Sequence, residues 1–151
     1  MDDFNRRVPC PTRVLFVCTG NICRSPFAEV VGRSVFADTP YSFSSAGTHA
    51  IPGNEATRDM QLVARERGLD LAGHGATLLA ACEQPDIVLG MEHHHLVAAK
   101  NRFPDLEATR IRLLDHPVAI TDPYQSNLDV YQNAAAHIER ALRSIDLDSI
   151  R

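Results

Sequence analysis

A three-layer α/β fold, with a four-stranded parallel sheet flanked by helices on both faces, is what this sequence predicts, and three observations predict it. Val14–Val17 and Asp86–Met91 are short, nearly continuous apolar runs, the pattern of strands buried on both faces. Segments with apolar residues at helical spacing alternate with the strand candidates along the whole chain, as parallel crossovers require. The 151 residues are enough for one core that buries roughly two-thirds of the unfolded surface, without staples.

Taken in order, residues 1–12 carry mixed charge and two prolines without periodicity, so they read as a flexible leader before a single domain at 13–151. Val14–Val17 is the first strand. Ser25 followed by Pro26 reads as an N-cap and first helical residue, and Phe27, Val30, Val31 and Val35 mark that helix, which ends before Asp38-Thr39-Pro40. Tyr41–Ser45 is a second strand that runs into Ala46-Gly47-Thr48. Met60, Val63 and Ala64 place a helix at about 55–67, with Gly68 as its C-terminal cap. Residues 77–82 allow a short helix, Asp86–Met91 is a central strand, and His93–Phe103 is a helix stopped by Pro104. Arg110–Leu114 is the fourth strand, and Leu128, Tyr131, Ala135, Ile138, Leu142 and Ile145 outline a long closing helix.

Composition excludes several classes of function. A net charge of −4 argues against a nucleic-acid surface, and no apolar run approaches a membrane span. The acidic Met1-Asp2-Asp3-Phe4 start lacks a signal core, which predicts a cytoplasmic protein with no membrane insertion. Four cysteines are too sparse for a disulfide framework in a chain of this length.

Chemistry concentrates between Cys18 and Ser25. In open α/β sheets ligands bind beyond the C-terminal ends of the strands, where Cys18, Ser45, Met91 and the loop after Leu114 converge. A loop joining a strand to a helix N-terminus offers free backbone N–H groups and the positive end of the helix dipole, a cradle for a phosphate. That cradle spans Thr19, Gly20, Asn21, Ile22, Cys23, Arg24 and Ser25. A thiol attacks phosphorus as the thiolate, which a helix N-terminus and a nearby cation favour, so Cys18 is a candidate nucleophile. Arg24 offers a planar fork for two phosphoryl oxygens. Gly20 frees the backbone, Asn21 can hold an unusual loop angle, and Ser25 can cap the helix and donate to the thiolate. Departure of a phenolate is helped by a proton donor, and Asp122, stiffened by Pro123, is the candidate acid. Two plainer readings stand beside these: a buried structural cysteine, and an aspartate that only makes a turn before proline.

Val17–Pro26, Ser45-Ala46-Gly47-Thr48 and Asp122-Pro123-Tyr124 together resemble the low-molecular-weight protein tyrosine phosphatase family, over nearly all of the chain from Arg13 onward. The resemblance implies a Rossmann-like phosphatase fold that needs no cofactor and no metal. It implies that Cys18 forms a cysteinyl-phosphate intermediate, that Arg24 binds the phosphoryl oxygens, and that Asp122 is first acid and then base. Asn21, Ser25 and Ser45 match positions that support the loop, and Tyr124 matches an aromatic wall of the cleft. Cys23 matches a second loop thiol that can pair with an oxidised nucleophile.

The Gly47–Gly53 segment is similar to the bacterial exopolysaccharide-associated branch, with Ile51 beside the cleft in place of an aromatic residue. The implied substrate is a tyrosine-phosphorylated protein, such as a bacterial tyrosine kinase. Two rim positions depart from the family pattern: Gly75 follows His74 where an arginine is usual, and Gln125 follows Tyr124 where many members have a second aromatic. The leader is also longer than usual. A thioredoxin-coupled arsenate reductase is a rival on the same fold, but it needs two further cysteines and only Cys82 lies downstream. A non-catalytic phosphotyrosine-binding module would have no need of Cys18, Arg24 and Asp122 together. His93-His94-His95 cannot all face one metal ion from consecutive helical positions and reads as a solvated helix start, and His49 reads as a loop histidine near the cleft.

Overall fold

The computed structural model describes residues 10–151. Four strands, β1 (Thr12–Cys18), β2 (Tyr41–Gly47), β3 (Ile87–Gly90) and β4 (Ile111–Leu113), form one parallel sheet in the order β2-β1-β3-β4. The helices are α1 (Arg24–Val35), α2 (Arg58–Glu66), α3 (His93–Arg102) and α4 (Leu128–Ser144). Residues 77–82 contain only a single 3₁₀ turn at Leu79–Ala81. Thr12 pairs with Tyr41 as the first residue of β1, so the strand starts inside the segment read as leader. The rest of that leader, through Pro9, lies outside the described residues.

β1 explains the layering. β2 and β3 pair with its two edges, its side chains alternate faces, and helices cover both faces. Val14, Phe16 and Cys18 join Phe27 and Val31 of α1, Met60 and Val63 of α2, and Ile138 and Leu142 of α4 in one cluster. Leu15 and Val17 join Val88, Ala99, Phe103 and Ile111 beneath α3 on the other face. Phe16 stacks on Phe43 with ring centroids 5.8 Å apart, and burying such a side chain contributes about 2–3 kcal/mol.

Caps set the helix ends. Thr57 accepts the Met60 N–H to start α2, and Gly68 at φ +74 turns the chain after it. Asn127 accepts the Val130 N–H to start α4. α1 departs from the expectation: it starts at Arg24, its N-cap is Cys23, and no side chain caps it. Ser25 therefore lies within the first turn, because its hydroxyl serves Cys18 and Asn21 instead.

Candidate active site

β1 ends at Cys18, α1 begins at Arg24, and the intervening loop crosses the C-terminal edge of the sheet. Neighbouring strands hold it from below. Thr48 N–H donates to Cys18 O at 3.0 Å and His49 N–H donates to Thr19 O at 2.9 Å. A Cβ on Gly47 would stand 2.4 Å from Thr19 O and 2.8 Å from Asn21 N, so the close approach of β2 to the loop requires glycine there.

Asn21 is the hub. It sits in the left-handed region at φ 55 and is fully buried. Its side-chain amide donates to Ser25 Oγ at 2.8 Å and to Ser45 Oγ at 2.9 Å, while its side-chain oxygen accepts the Thr77 N–H at 2.8 Å. His74 Nε2 donates to its backbone carbonyl at 2.6 Å. These bonds set proton directions. Because Ser25 Oγ accepts from Asn21, its hydrogen is left for the nearer of two acceptors, Cys18 Sγ at 2.8 Å against Ala46 O at 3.4 Å. Ser45 likewise accepts from Asn21 and passes its own hydrogen to Glu29 at 2.8 Å. The Ser25 hydroxyl is thus turned toward the sulfur as a donor.

Arg24 is buried to 1 % exposure, and its charge is met on three sides. Nη1 donates to Glu92 at 2.9 Å and to Ile120 O at 2.8 Å, and Nη2 lies 3.5 Å from Asp122. Both Nη1 protons are thereby engaged, leaving the Nε–Nη2 edge of the fork for a phosphoryl group. Asp122 is anchored differently. Ile120 N–H donates to Met91 O at 2.8 Å, tying the loop to the end of β3, while among the described residues Asp122 accepts one hydrogen bond, from the Tyr124 N–H at 3.1 Å in a local turn. Its side chain is 46 % exposed.

A cleft of about 220 Å³ opens above this edge. Cys18, Thr19, Gly20, Ile22, Cys23, Arg24 and Asp122 line it, with His49, Ile51, Asn54 and Tyr124 around the rim. Ile51 and Tyr124 are 66 % and 51 % exposed, so an apolar wall stands over a charged floor. Asn21, Ser25 and Ser45 lie beneath and support the loop from outside the cleft. Cys23 faces two hydroxyls: it is free, as is Cys18, and lies 3.6 Å from Thr57 Oγ1 and 3.7 Å from Tyr131 Oη. Burial pushes its thiol up to about 11 and the Tyr131 hydroxyl up to about 12. Cys82 lies before β3, toward the opposite end of the sheet from Cys18.

The histidine run departs from the solvated reading. His93 and His94 are exposed, but His95 is fully buried against the loop. Glu92, His94 and His95 bring possible ligand atoms within 4.8 Å of one another. Both ring nitrogens of His95 are already bonded, however, and the Glu92 carboxylate holds Arg24, so this cluster is a hydrogen-bond network rather than a metal site. His74, Glu92 and His95 are the site residues that sequence reasoning left without roles. The one available signal was the Glu92-x-x-His95 spacing at the end of a strand, the reciprocal capping arrangement.

The family model for low molecular weight phosphotyrosine protein phosphatase matches residues 13–149. The protein-tyrosine-phosphatase Wzb of Salmonella typhi is 31 % identical over 136 residues, 87 % of this chain and 89 % of that protein. Vibrio vulnificus Wzb, solved with benzylphosphonate, superposes with a TM-score of 0.79 at 28 % identity, covering 87 % of this chain and 94 % of that one. The YwlE arginine phosphatase from Geobacillus stearothermophilus superposes with a TM-score of 0.76 at 29 % identity, covering 87 % and 88 %.

Proposed function

The chain belongs to the low molecular weight phosphotyrosine protein phosphatase family, and we propose a residue-by-residue scheme for its hydrolysis of phosphotyrosine. The Cys18 thiolate attacks phosphorus, the phenolate leaves with a proton from Asp122, and a cysteinyl phosphate remains. Asp122 then takes a proton from water, whose oxygen attacks the intermediate and releases phosphate. Arg24 and the loop amides from Thr19 to Ser25 hold the phosphoryl oxygens throughout. The observation that carries this scheme is the loop itself: Cys18 Sγ 2.8 Å from a hydroxyl donor, with Arg24 beside Asp122 at the other end.

Asn21, Ser25 and Ser45 keep the loop in shape, and Ile51 and Tyr124 flank the phenyl ring. Cys23 is the redox guard: after peroxide converts Cys18 to a sulfenic acid, the Cys23 thiol condenses with it to a disulfide and water. The substrate is a tyrosine-phosphorylated protein of the cytoplasm, a bacterial tyrosine kinase of exopolysaccharide production being the reading that the Gly47–Gly53 segment favours. Among the described residues no helix is long and apolar enough to cross a membrane. Residues 13–151 act as one domain.

Hydrolysis of a phosphotyrosyl peptide, a phosphoseryl peptide and phosphoarginine by the purified chain tests the reading. Turnover of the first alone is expected, because Ile22, Ile51 and Tyr124 present apolar surface to the leaving group. Preference for phosphoarginine would overturn the assignment of the leaving group while keeping the loop chemistry.

A further inference from the structure

The first turn of α3 touches the phosphate loop through two side chains, and only one of them serves Arg24. Glu92 and His95 form a reciprocal capping box, in which the His95 N–H donates to the Glu92 backbone carbonyl at 3.0 Å and His95 Nδ1 accepts the Glu92 N–H at 3.0 Å. A backbone N–H can only donate, so Nδ1 bears no proton, and the neutral ring must carry its proton on Nε2. Nε2 lies 2.9 Å from Thr19 Oγ1. His95 is therefore the donor and Thr19 the acceptor in that contact. Burial, with the Arg24 guanidinium nearby, lowers the His95 pKa to about 3, so the ring keeps this tautomer at neutral pH.

Thr19 is half-buried and lines the cleft next to Cys18. With its oxygen accepting from His95, its own hydrogen is left for another acceptor. We propose that His95 is a positioning residue that acts through Thr19, fixing the Thr19 hydroxyl as an additional side-chain donor to the bound phosphoryl group. This rests on the reading of the loop as the phosphate site. It gives the capping box two contacts with the loop, Glu92 at Arg24 and His95 at Thr19.

The test measures kcat and KM for an aryl phosphate, and Ki for inorganic phosphate, in Thr19→Val, His95→Leu, the double variant and His95→Gln. Thr19→Val keeps the side-chain shape and removes only the hydroxyl. It is expected to lower kcat/KM and weaken phosphate inhibition by roughly 10-fold, the range for one hydrogen bond to a charged group. His95→Leu should lose about as much, the double variant no more than the worse single one, and His95→Gln, which supplies an acceptor and a donor, should recover most of the loss. Wild-type constants in Thr19→Val overturn the proposal, whether or not His95→Leu folds. Losses that multiply in the double variant also overturn it, since His95 would then act by a route other than Thr19. Failure of the loop reading is separable: it would show as turnover surviving in Cys18→Ser, which these ratios do not depend on.

Discussion

The two halves of the proposed reaction stand on differently built supports. The loop from Cys18 to Ser25 is mostly buried, its backbone is bonded to β2 and the segment after it, and Asn21 alone makes four hydrogen bonds in its interior. The loop bearing Asp122 is tied to the sheet at Ile120, after which Asp122 and Tyr124 stand exposed with one local bond between them. A nucleophile surrounded by oriented donors gains from fixed geometry, because preorganised dipoles cost no reorganisation during reaction. An acid that must meet the oxygen of a bulky protein side chain needs open space on its side of the cleft. Rigidity and access are thus assigned to separate segments, and activity and stability should separate accordingly.

The largest effect should come from Cys18→Ser. Turnover of an aryl phosphate is expected to fall by at least about 10⁴-fold with the melting temperature nearly unchanged, because the substitution removes the nucleophile with little change of volume. Substantial remaining activity would remove Cys18 from the mechanism. Asn21→Ala should damage both properties. It deletes three side-chain bonds and leaves alanine at φ 55, so a stability loss of about 2–4 kcal/mol in urea titration and a fall in kcat of about 10²-fold are expected. A variant as stable as wild type would show that the loop is not held by this residue.

Asp122→Asn should affect rate alone. For substrates with poor leaving groups the loss is expected to be about 10²-fold, shrinking markedly for good leaving groups that need no proton, while stability stays within about 0.5 kcal/mol. Equal losses across leaving groups would take Asp122 out of the acid role. A last variant distinguishes the supports by pH. The His95 pKa is about 3 in the folded chain against about 6.5 unfolded, so between those values the unfolded state binds the extra proton. Its neutral burial therefore costs nothing above about pH 7 and erodes stability as pH falls from there toward 3. His95→Gln should flatten this acid-side decline in denaturant titrations from pH 7 to 4, whereas Asp122→Asn should leave that His95-dependent part intact.

Most of the fold was legible because its signals are local. Apolar runs too continuous for a half-exposed surface marked β1 and β3, and Gly68 marked the end of α2, whereas the Thr57 and Asn127 caps that start α2 and α4 went unread. The same locality produced the errors. Ser25 before Pro26 has the form of an N-cap, yet its hydroxyl goes to Cys18 and Asn21, and the competing partner across the loop is invisible to a local pattern. His95 sits in a run of three histidines that reads as a solvated face. Only its place under the loop makes it buried and bonded at both nitrogens.

The sequence by itself determined the kind of chemistry: a thiol and a guanidinium at the ends of a strand-to-helix loop, with a carboxylate far downstream. Those residue types at that spacing have few other uses, and the alternation of strands and helices carries them to one edge of a sheet. Tertiary structure alone decided which way the protons point. Asn21 meets Ser45 and Thr77, Arg24 meets Glu92, and Thr19 meets His95 across separations from 24 to 76 residues. Hydrogen-bond direction depends on which donor faces which acceptor, and packing of distant segments is what sets that.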